Sequence, residues 1–330
     1  ACAASTFAAS TFAASTFAAS TFAASTFAAS TIAPGTYLIE GEAVPNRQPD
    51  GNSIILEAPQ GLIVFDTGRH EEHIQQVLDF AREHHRPVAA IVNSHWHLDH
   101  VGGNVRLRAA FPGVRVYASS AIDAARRGFL ADYRAHLLAQ IAAANDGTSL
   151  EPMRAEIALI DAGSALGPTD VIDSSVPDMR IAGRTLEVHL ESHAVTAGDV
   201  WVFDPATRVL LAGDLVTLPA PFFETACPEH WRASLSHLER VQFDWLVPGH
   251  GAPMRKQQLT AYRRAFSNLL DCAAGNAAKS QCIDAWVADA STLIEAKDVG
   301  YAKDLIGYYV DNYLRHPTAR ILAFCSDDKG

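Results

Sequence analysis

One short stretch, His95-Trp96-His97-Leu98-Asp99-His100, follows closely on the apolar run Val88-Ala89-Ala90-Ile91-Val92. The stretch places three imidazoles and a carboxylate within six residues after a predicted strand, and hydrophobic packing does not explain such a cluster. In an extended backbone His95 and His97 point to the same side, and Asp99 and His100 follow where the chain turns. Neutral imidazole nitrogens with a carboxylate oxygen suit Zn²⁺, and also iron or manganese. The stretch therefore predicts a metal site.

Three further motifs close predicted strands in the same way, namely Asp66-Thr67-Gly68, Ala212-Gly213-Asp214 and Pro248-Gly249-His250-Gly251. In this order the four motifs resemble the metallo-β-lactamase superfamily of metal-dependent hydrolases, over about residues 34 to 255. Strands flanked by helices in two similar halves favour an α/β (α+β) fold built as a four-layer αβ/βα sandwich. The resemblance implies the same fold, with the metals at one end of the two facing sheets.

The resemblance also implies a set of metal ligands. In the family pattern, His95 and His97 would bind a first metal. Asp99, His100 and His250 would bind a second, and Asp214 would bridge the two. Two zinc ions that share a water lower its pKa, so a metal-bound hydroxide becomes available near neutral pH. Asp99 is the predicted catalytic residue that orients this nucleophile. Asp66 is expected to accept a hydrogen bond from a ligand histidine and to fix its tautomer.

One position departs from the family pattern. The stretch Thr196-Ala197-Gly198-Asp199 aligns with the family motif that carries the third histidine of the first metal, and Val195 occupies that histidine's place. His193 lies two residues earlier and is the predicted substitute, provided that a bulge shifts the register; His189 is a weaker candidate. If neither binds, a single zinc or iron ion is the alternative, held by Asp99, His100, Asp214 and His250.

The five-residue unit Ala-Ala-Ser-Thr-Phe recurs from Ala3 to Phe27, and a last copy ends in Ile32. A five-residue period places successive Phe side chains on no common face of a helix or of a strand. We therefore expect a low-complexity arm over residues 1–32, outside a catalytic domain that spans residues 33–255. Its Ser and Thr content argues against a transmembrane segment.

Helical sequence interrupts the strand pattern between the two halves of the ligand set. Residues 121–178 form a predicted helical insertion, well placed to cover the site and to select substrates. Together with this insertion, Phe222, Phe223 and Trp231 are expected to line an apolar substrate pocket. Residues 256–330 are predicted to be a C-terminal helical appendage.

Charge and cysteine content limit the partners and the location. A net charge of −11 argues against a nucleic-acid substrate and favours a small molecule. None of the five cysteines has the spacing of a zinc motif. Cys272 and Cys282 could pair across a helix-turn-helix, whereas Cys2, Cys227 and Cys325 have no assignable partner. This usage favours a periplasmic or secreted protein, with a cytoplasmic location as the alternative.

The leading functional hypothesis is a hydrolase with two zinc ions that cleaves an ester, thioester, lactone or lactam bond. Asp214 resembles the bridging ligand of the glyoxalase II and lactonase branches more than that of the β-lactamases. A β-lactamase is therefore an alternative rather than the leading hypothesis. A mononuclear iron dioxygenase acting on a sulfur substrate is another, because two histidines and one carboxylate suffice for iron. A non-catalytic metal-binding protein is the third.

Overall fold

The computed structural model describes residues 29–43, 47–145 and 149–326. Two β-sheets face each other, and helices cover the outer side of each sheet. This arrangement confirms the predicted α/β four-layer sandwich. Among the described residues, no helix combines the length and the apolar character that crossing a bilayer requires.

Among the described residues, the first sheet contains seven strands in sequence order. Its first four strands are antiparallel to one another, and from the fourth strand onward each neighbour is parallel. The central strands are apolar along their whole length, as expected for strands that are covered on both faces. The strands are β1 Ser30–Ala33, β2 Thr36–Ile39, β3 Ser53–Ala58, β4 Gly61–Phe65, β5 Val88–Val92, β6 Arg115–Ala118 and β7 Asp170–Val171.

The second sheet contains five strands in the order β12-β11-β10-β9-β8. Only β11 and β12 are parallel; the other neighbours are antiparallel. The strands are β8 Val176–Ile181, β9 Arg184–Glu191, β10 Asp199–Asp204, β11 Val209–Thr217 and β12 Trp245–His250.

Helices occupy both outer layers and the insertion. They are α1 Glu71–Glu83, α2 Leu98–Val101, α3 Asn104–Ala110, α4 Ala121–Arg127, α5 Phe129–Ala143, α6 Glu151–Asp161, α7 Pro228–Arg240, α8 Lys256–Ala274, α9 Lys279–Asp289, α10 Val299–Tyr309 and α11 Ala319–Ser326. Two 3₁₀ turns cover Gly163–Leu166 and Ala296–Asp298, and a π-helical turn, Val310–Leu314, follows α10.

Of the four hydrophobic clusters among the described residues, three hold the layers together and the fourth packs the insertion against Trp96 and α2. The cluster between the sheets includes Phe65 and Val92 from the first sheet and Leu211 and Val247 from the second. A second cluster packs α1 and α3 on the outer face of the first sheet. The third joins the second sheet to α7–α10. The helices after residue 255 therefore share the core of the second sheet, although the sequence suggested an appendage.

The boundaries of the repeat arm and of the insertion differ from those expected. Residues 30–33 form β1, paired with β2, because Ile32 and Ala33 pack against the cluster between the sheets. The last repeat copy thus contributes to the fold, and residues 1–28 lie outside the described residues. The helical part of the insertion ends at Asp161, since β7 and the first residues of β8 already belong to the two sheets.

Two disulfides tie the C-terminal helices. The Cys272–Cys282 pair joins α8 to α9, which confirms the pairing suggested by the sequence. Cys227 pairs with Cys325 across 98 residues, and this bond fastens α11 beside the start of α7. This second pair could not be predicted from the sequence, because no local motif relates two cysteines that are 98 residues apart.

Asp50 links the loop before β3 to the start of α1. One carboxylate oxygen accepts hydrogen bonds from the backbone N–H groups of Arg69 (2.6 Å) and His70 (2.9 Å), and the other lies 2.8 Å from Nδ1 of His70. Burial opposes ionisation, but the His70 ring, the nearby His73 and these backbone bonds lower the pKa of Asp50 from 3.8 to about 2.

We expect Asp50→Asn to destabilise the protein in a pH-dependent way. Because the folded pKa lies below the unfolded value, the carboxylate stabilises the fold by about 2 kcal/mol above pH 4, and this contribution is lost as the pH falls through about 2. In denaturant unfolding, the difference in the free energy of unfolding between wild type and variant should be complete at pH 7 and roughly half as large at pH 3. A difference that does not change with pH would contradict this role of Asp50.

Candidate metal centre

The pairing of parallel strands explains where the predicted ligands meet. Asp66 follows β4 and His95 follows β5, and these strands are parallel. Asp214 lies in β11 and His250 ends β12, which are also parallel. The two sheets are joined at this edge by a hydrogen bond of 2.6 Å from the Val200 N–H to the Ser94 carbonyl. The predicted ligands of both sheets therefore face one another.

Four donor atoms form a compact set, which we call the closed position: Oδ2 of Asp99, Nε2 of His100, Oδ1 of Asp214 and Nε2 of His250. Nε2 of His100 lies 3.7 Å from Asp99 and 3.2 Å from Asp214, and Nε2 of His250 lies 3.1 Å from Asp99 and 3.6 Å from Asp214. Ligands at 2.0–2.1 Å in a zinc tetrahedron lie about 3.3–3.4 Å apart. Four of the six distances in the closed position, 3.1–3.7 Å, therefore lie near those of a tetrahedral zinc site.

A second, looser set of three donor atoms, which we call the open position, consists of Nε2 of His95, Nδ1 of His97 and Oδ2 of Asp214. Among the described residues, His97 is not part of a group of three ligand atoms that all lie within 4.8 Å of one another. The two histidine nitrogens are 2.8 Å apart, and Oδ2 of Asp214 lies 3.7 Å from His95. Three protein ligands with a vacant direction are typical of catalytic metal sites, whereas four are typical of structural ones. Asp214 contributes one carboxylate oxygen to each position.

The donor set fits divalent cations on two counts. Nε2 of His100 and Oδ1 of Asp214 are buried and have no hydrogen-bond partner, although they lie only 3.2 Å apart. Groups of ligand atoms suitable for a metal ion combine His100 with Asp99 and His250, and His100 with His95 and Asp214. Buried polar atoms without partners are costly, and a cation between them removes that cost.

The pKa values of four of the predicted ligands fit metal binding. Burial and the neighbouring His100 lower the pKa of His95 well below its usual range, and burial lowers the pKa of His97 to about 4. Both rings are therefore neutral at pH 7, the form that binds metals. Burial acts to raise the pKa of Asp99 and Asp214, but His100 and His250 together, with Arg69 at Asp99 and His95 at Asp214, outweigh it and lower both values. Both carboxyl groups are thus ionised. The pKa values of His100 and His250 are raised by the neighbouring carboxylates against the effect of burial, so these two rings would release protons when a metal binds.

Asp66 holds two of the ligand histidines from behind. Its carboxylate lies 2.8 Å from Nδ1 of His100 and accepts a hydrogen bond of 2.6 Å from the hydroxyl of Ser94, which in turn lies 2.9 Å from Nδ1 of His95. This is the placement expected of a residue that fixes the tautomer of its neighbours. Sequence reasoning identified Asp66 and overlooked Ser94, although Ser94 directly precedes His95.

His193 and His189 are not brought to the open position. The His193 ring packs against Phe324 and His230, and the positive φ of 58° at His193 turns the chain away from a regular strand without returning the ring to His95. His189 stacks on Trp201 with ring centroids 3.7 Å apart. The prediction that His193 replaces the third histidine is therefore corrected.

The insertion reaches the site through buried charges that the sequence did not reveal. The Arg69 guanidinium donates to both carboxylate oxygens of Glu156 on α6 at 3.2 Å and to Oδ1 of Asp99 at 3.4 Å. Tyr133 on α5 also donates to Glu156. Oδ1 of Asp99 is thus occupied by Arg69, and Oδ2 is left to face the closed position. The local signal for Arg69 was its place directly after Asp66-Thr67-Gly68.

Aromatic rings surround the open position on one side. The Phe222 ring lies edge-on to His97 at 5.1 Å, and Trp96 packs between His97 and Phe129 of the insertion. Phe222 is therefore placed where a pocket wall was expected. Phe223 and Trp231 are fully buried and pack against Phe266 in the core of the second sheet, so they cannot line an open pocket. Their assignment to the pocket is corrected.

Gly249 permits the close approach of β11 and β12 beside the site. A Cβ atom at this position would lie 1.9 Å from Oδ1 of Asp214 and 2.8 Å from its backbone nitrogen. Because the backbone nitrogen cannot rotate away, we expect Gly249→Ala to displace Asp214 and to lower the metal content of the purified protein. Gly300→Ala is the matched control: nothing lies within 4 Å of its Cβ, and it should stabilise α10 by up to about 1 kcal/mol. Full metal content in Gly249→Ala would contradict this explanation.

Comparison with known proteins agrees with this geometry. The family model of the metallo-beta-lactamase superfamily matches residues 47–250, more than half of the chain. The chain belongs to the metallo-β-lactamase superfamily. Its two facing sheets are those that the sequence resemblance implied.

The most informative relatives differ in what they share with the chain. A linear primary-alkylsulfatase from Pseudomonas sp. (strain ATCC 19151) is 28% identical over 220 residues, which cover 61% of this chain and 41% of the relative. The chain thus spans about two fifths of that relative's length. A metallo-beta-lactamase from Pontibacter korlensis has 21% identity and a TM-score of 0.53, covering 73% of this chain and 98% of the other. TMB-1, with 16% identity and a TM-score of 0.52, covers 72% and 97%. The two structures show a shared fold.

Proposed function

We propose that the protein is a hydrolase that binds two zinc ions and cleaves an ester, thioester, lactone or lactam bond of a small molecule. The observation that carries this proposal is the placement of Asp214, whose two oxygens face different histidines: Oδ1 lies 3.2 Å from His100, and Oδ2 lies 3.7 Å from His95. A carboxylate that faces two sets of ligands is suited to bridge two cations.

The residues around the two positions would divide the work. When bound, two zinc ions would lower the pKa of a shared water and supply a nucleophile near neutral pH. Asp99, held by Arg69 through Oδ1, presents Oδ2 to the closed position, where it can orient that water. With three protein ligands, the open position would keep one coordination position for water or substrate. The rings of Trp96 and Phe222 pack against His97 and would shield it from water.

A sulfate ester of a primary alcohol is the second candidate for the substrate. The relative named as a linear primary-alkylsulfatase supports it. The aromatic side chains beside His97 also suit the apolar chain of such a substrate. A β-lactam finds less support, since the similar β-lactamase structures share less than a quarter of their residues with this chain.

Two other classes of function remain as alternatives that metal analysis distinguishes. With neither His193 nor His189 at the open position, a single ion at the closed position is the simplest competitor, and iron would indicate a dioxygenase. A non-catalytic metal-binding protein would bind metal and turn over none of the substrates. The two disulfides favour an oxidising compartment, the periplasm or the cell exterior, for any of these functions.

The test combines metal analysis with a substrate panel. Protein purified without added metal should contain two zinc ions per chain, and dialysis against a chelator should remove the ion at the open position first because it has fewer protein ligands. The panel comprises dodecyl sulfate, a p-nitrophenyl ester, a thioester, a lactone and a cephalosporin. Turnover of at least one ester-class substrate that disappears with the first ion and returns with added zinc supports the proposal.

Three results would contradict it. One iron per chain, with consumption of oxygen in the presence of a thiol or persulfide, favours the dioxygenase. Full activity with a single zinc ion favours a mononuclear hydrolase. Two zinc ions with no turnover of any substrate favours a binding protein.

A further inference from the structure

Each histidine that could bind a metal through one ring nitrogen needs an acceptor for the proton on the other. For His100 this acceptor is the carboxylate of Asp66. For His95 it is the hydroxyl of Ser94, which itself donates to Asp66. For His97 the structure provides a different group. Nε2 of His97 lies 2.9 Å from the hydroxyl oxygen of Thr225, a residue between β11 and α7 that is 128 positions away in the sequence.

The partners of the Thr225 hydroxyl determine which ring nitrogen of His97 carries the proton. The hydroxyl has one proton, and it is donated to the carbonyl oxygen of Val195 at 2.9 Å, an atom that can only accept. Towards His97 the hydroxyl oxygen must therefore accept, so the Nε2 of His97 is the protonated nitrogen. Nδ1 then keeps a free lone pair, and this is the atom that lies 2.8 Å from Nε2 of His95 in the open position.

The other end of this hydrogen-bond chain is also informative. Val195 is the residue that replaces the third histidine of the family motif, and its side chain is fully buried in the core of the second sheet. Its carbonyl group nevertheless contributes to the site by anchoring Thr225. The Val195 carbonyl thus supports the open position through Thr225 and His97, whereas a histidine side chain here would bind the metal itself.

We propose that Thr225 is a positioning residue that holds His97 in its metal-binding tautomer and so supports an open position that lacks a third histidine. This inference rests on the proposed binding of metal at the open position. Removing a hydrogen-bond partner of a metal-ligating histidine typically lowers metal affinity 10- to 100-fold. In this protein the effect should fall on the open position alone, since Thr225 contacts none of the four donors of the closed position in the described hydrogen bonds.

The test uses three variants of the full chain. Thr225→Val keeps the shape of the side chain and removes the hydroxyl, and Thr225→Ser keeps the hydroxyl. Thr169→Val removes a threonine hydroxyl that bonds to Val116 and Asp170, away from the ligands, and is the matched control. The readouts are zinc binding at each position, by titration with a competing chelator, and the tautomer of His97 in the zinc-loaded protein, by ¹⁵N-detected NMR of the imidazole.

We expect Thr225→Val to weaken zinc binding at the open position about 10- to 100-fold and to leave the closed position unchanged. The Nε2–H signal of His97, protected from exchange in the wild type, should be lost to exchange with water. Thr225→Ser and Thr169→Val should match the wild type in both readouts.

The outcomes separate this inference from the proposed function. If the wild type binds two zinc ions and Thr225→Val retains both affinities and the protected Nε2–H signal, the role of Thr225 is refuted and the proposed function stands. If the wild type binds no zinc at the open position, the proposed function fails, and the role of Thr225 fails with it. Equal weakening of both positions in Thr225→Val would indicate a general structural effect and would also refute the inference.

Discussion

Asp214→Asn is expected to lower hydrolysis by roughly a thousandfold or more and to leave fewer than two zinc ions per chain. Asp214 supplies one oxygen to each position, and an amide in its place has a single acceptor oxygen and no charge. The bridge between the two positions would therefore be lost. The measurement is turnover of the substrate identified in the panel, together with zinc content by elemental analysis.

Asp204→Asn is the matched control for this variant. Asp204 is a fully buried carboxylate in β10 of the same sheet, and it forms an ion pair with Arg184 on the side of the fold away from the ligands. Its substitution should destabilise folding, because one charge of a buried pair remains without its partner. Zinc content should not change. Asp214→Asn with two zinc ions and wild-type turnover would show that Asp214 does not bridge metals.

Asp99→Ala is expected to abolish measurable hydrolysis while the protein still folds. The substitution removes one of the four donors of the closed position and the carboxylate that can orient the nucleophile. Arg69 keeps its ion pair with Glu156, so no buried cation is left without a partner. We expect a loss of activity of roughly a thousandfold or more, together with zinc content near one ion per chain.

An exposed acidic residue of the insertion provides the comparison for Asp99. Asp132 on α5 pairs with Arg320 at the surface, and its removal should change neither zinc content nor turnover. Circular dichroism would show whether Asp99→Ala retains the secondary structure of the wild type. Normal turnover of a good substrate by folded Asp99→Ala with full zinc content would refute the role given to Asp99.

The ligand motifs could be found from the sequence because each is short and follows a strand. In His95–His100 four donors lie within six residues, and Asp66, Asp214 and His250 each lie at or near the end of a parallel strand. Parallel strands carry such residues to one edge of a sheet. The family pattern then indicates which sheet edges face each other, and the structure shows them meeting.

The supporting residues could not be found in this way because their contacts depend on tertiary structure. Thr225 and His97 are 128 positions apart, and Arg69 and Glu156 are 87 apart. No periodicity or spacing relates them. The failed prediction for His193 has the same origin: local register allowed the ring to reach the site, but packing against Phe324 of the C-terminal helix holds it elsewhere.

Hydrophobic character alone also could not separate the pocket from the core. Phe222 and Phe223 are adjacent and chemically identical, yet one ring contacts His97 and the other is buried against Trp231. The difference arises from the direction of each side chain in the irregular segment after β11. Only the arrangement of the C-terminal helices, which supply Phe266 and Tyr309, shows which direction leads into the core.

The most direct test of two metals bridged by Asp214 is a crystal structure of the zinc-loaded protein with anomalous scattering measured at the zinc edge. Two anomalous peaks are expected, one on each side of the Asp214 carboxylate. The peak at the open position should have His95 and His97 as its histidine ligands, and the peak at the closed position should have His100, His250 and Asp99. A single peak, surrounded by Asp99, His100, Asp214 and His250 with nothing beside His95 and His97, would contradict a bridge at Asp214.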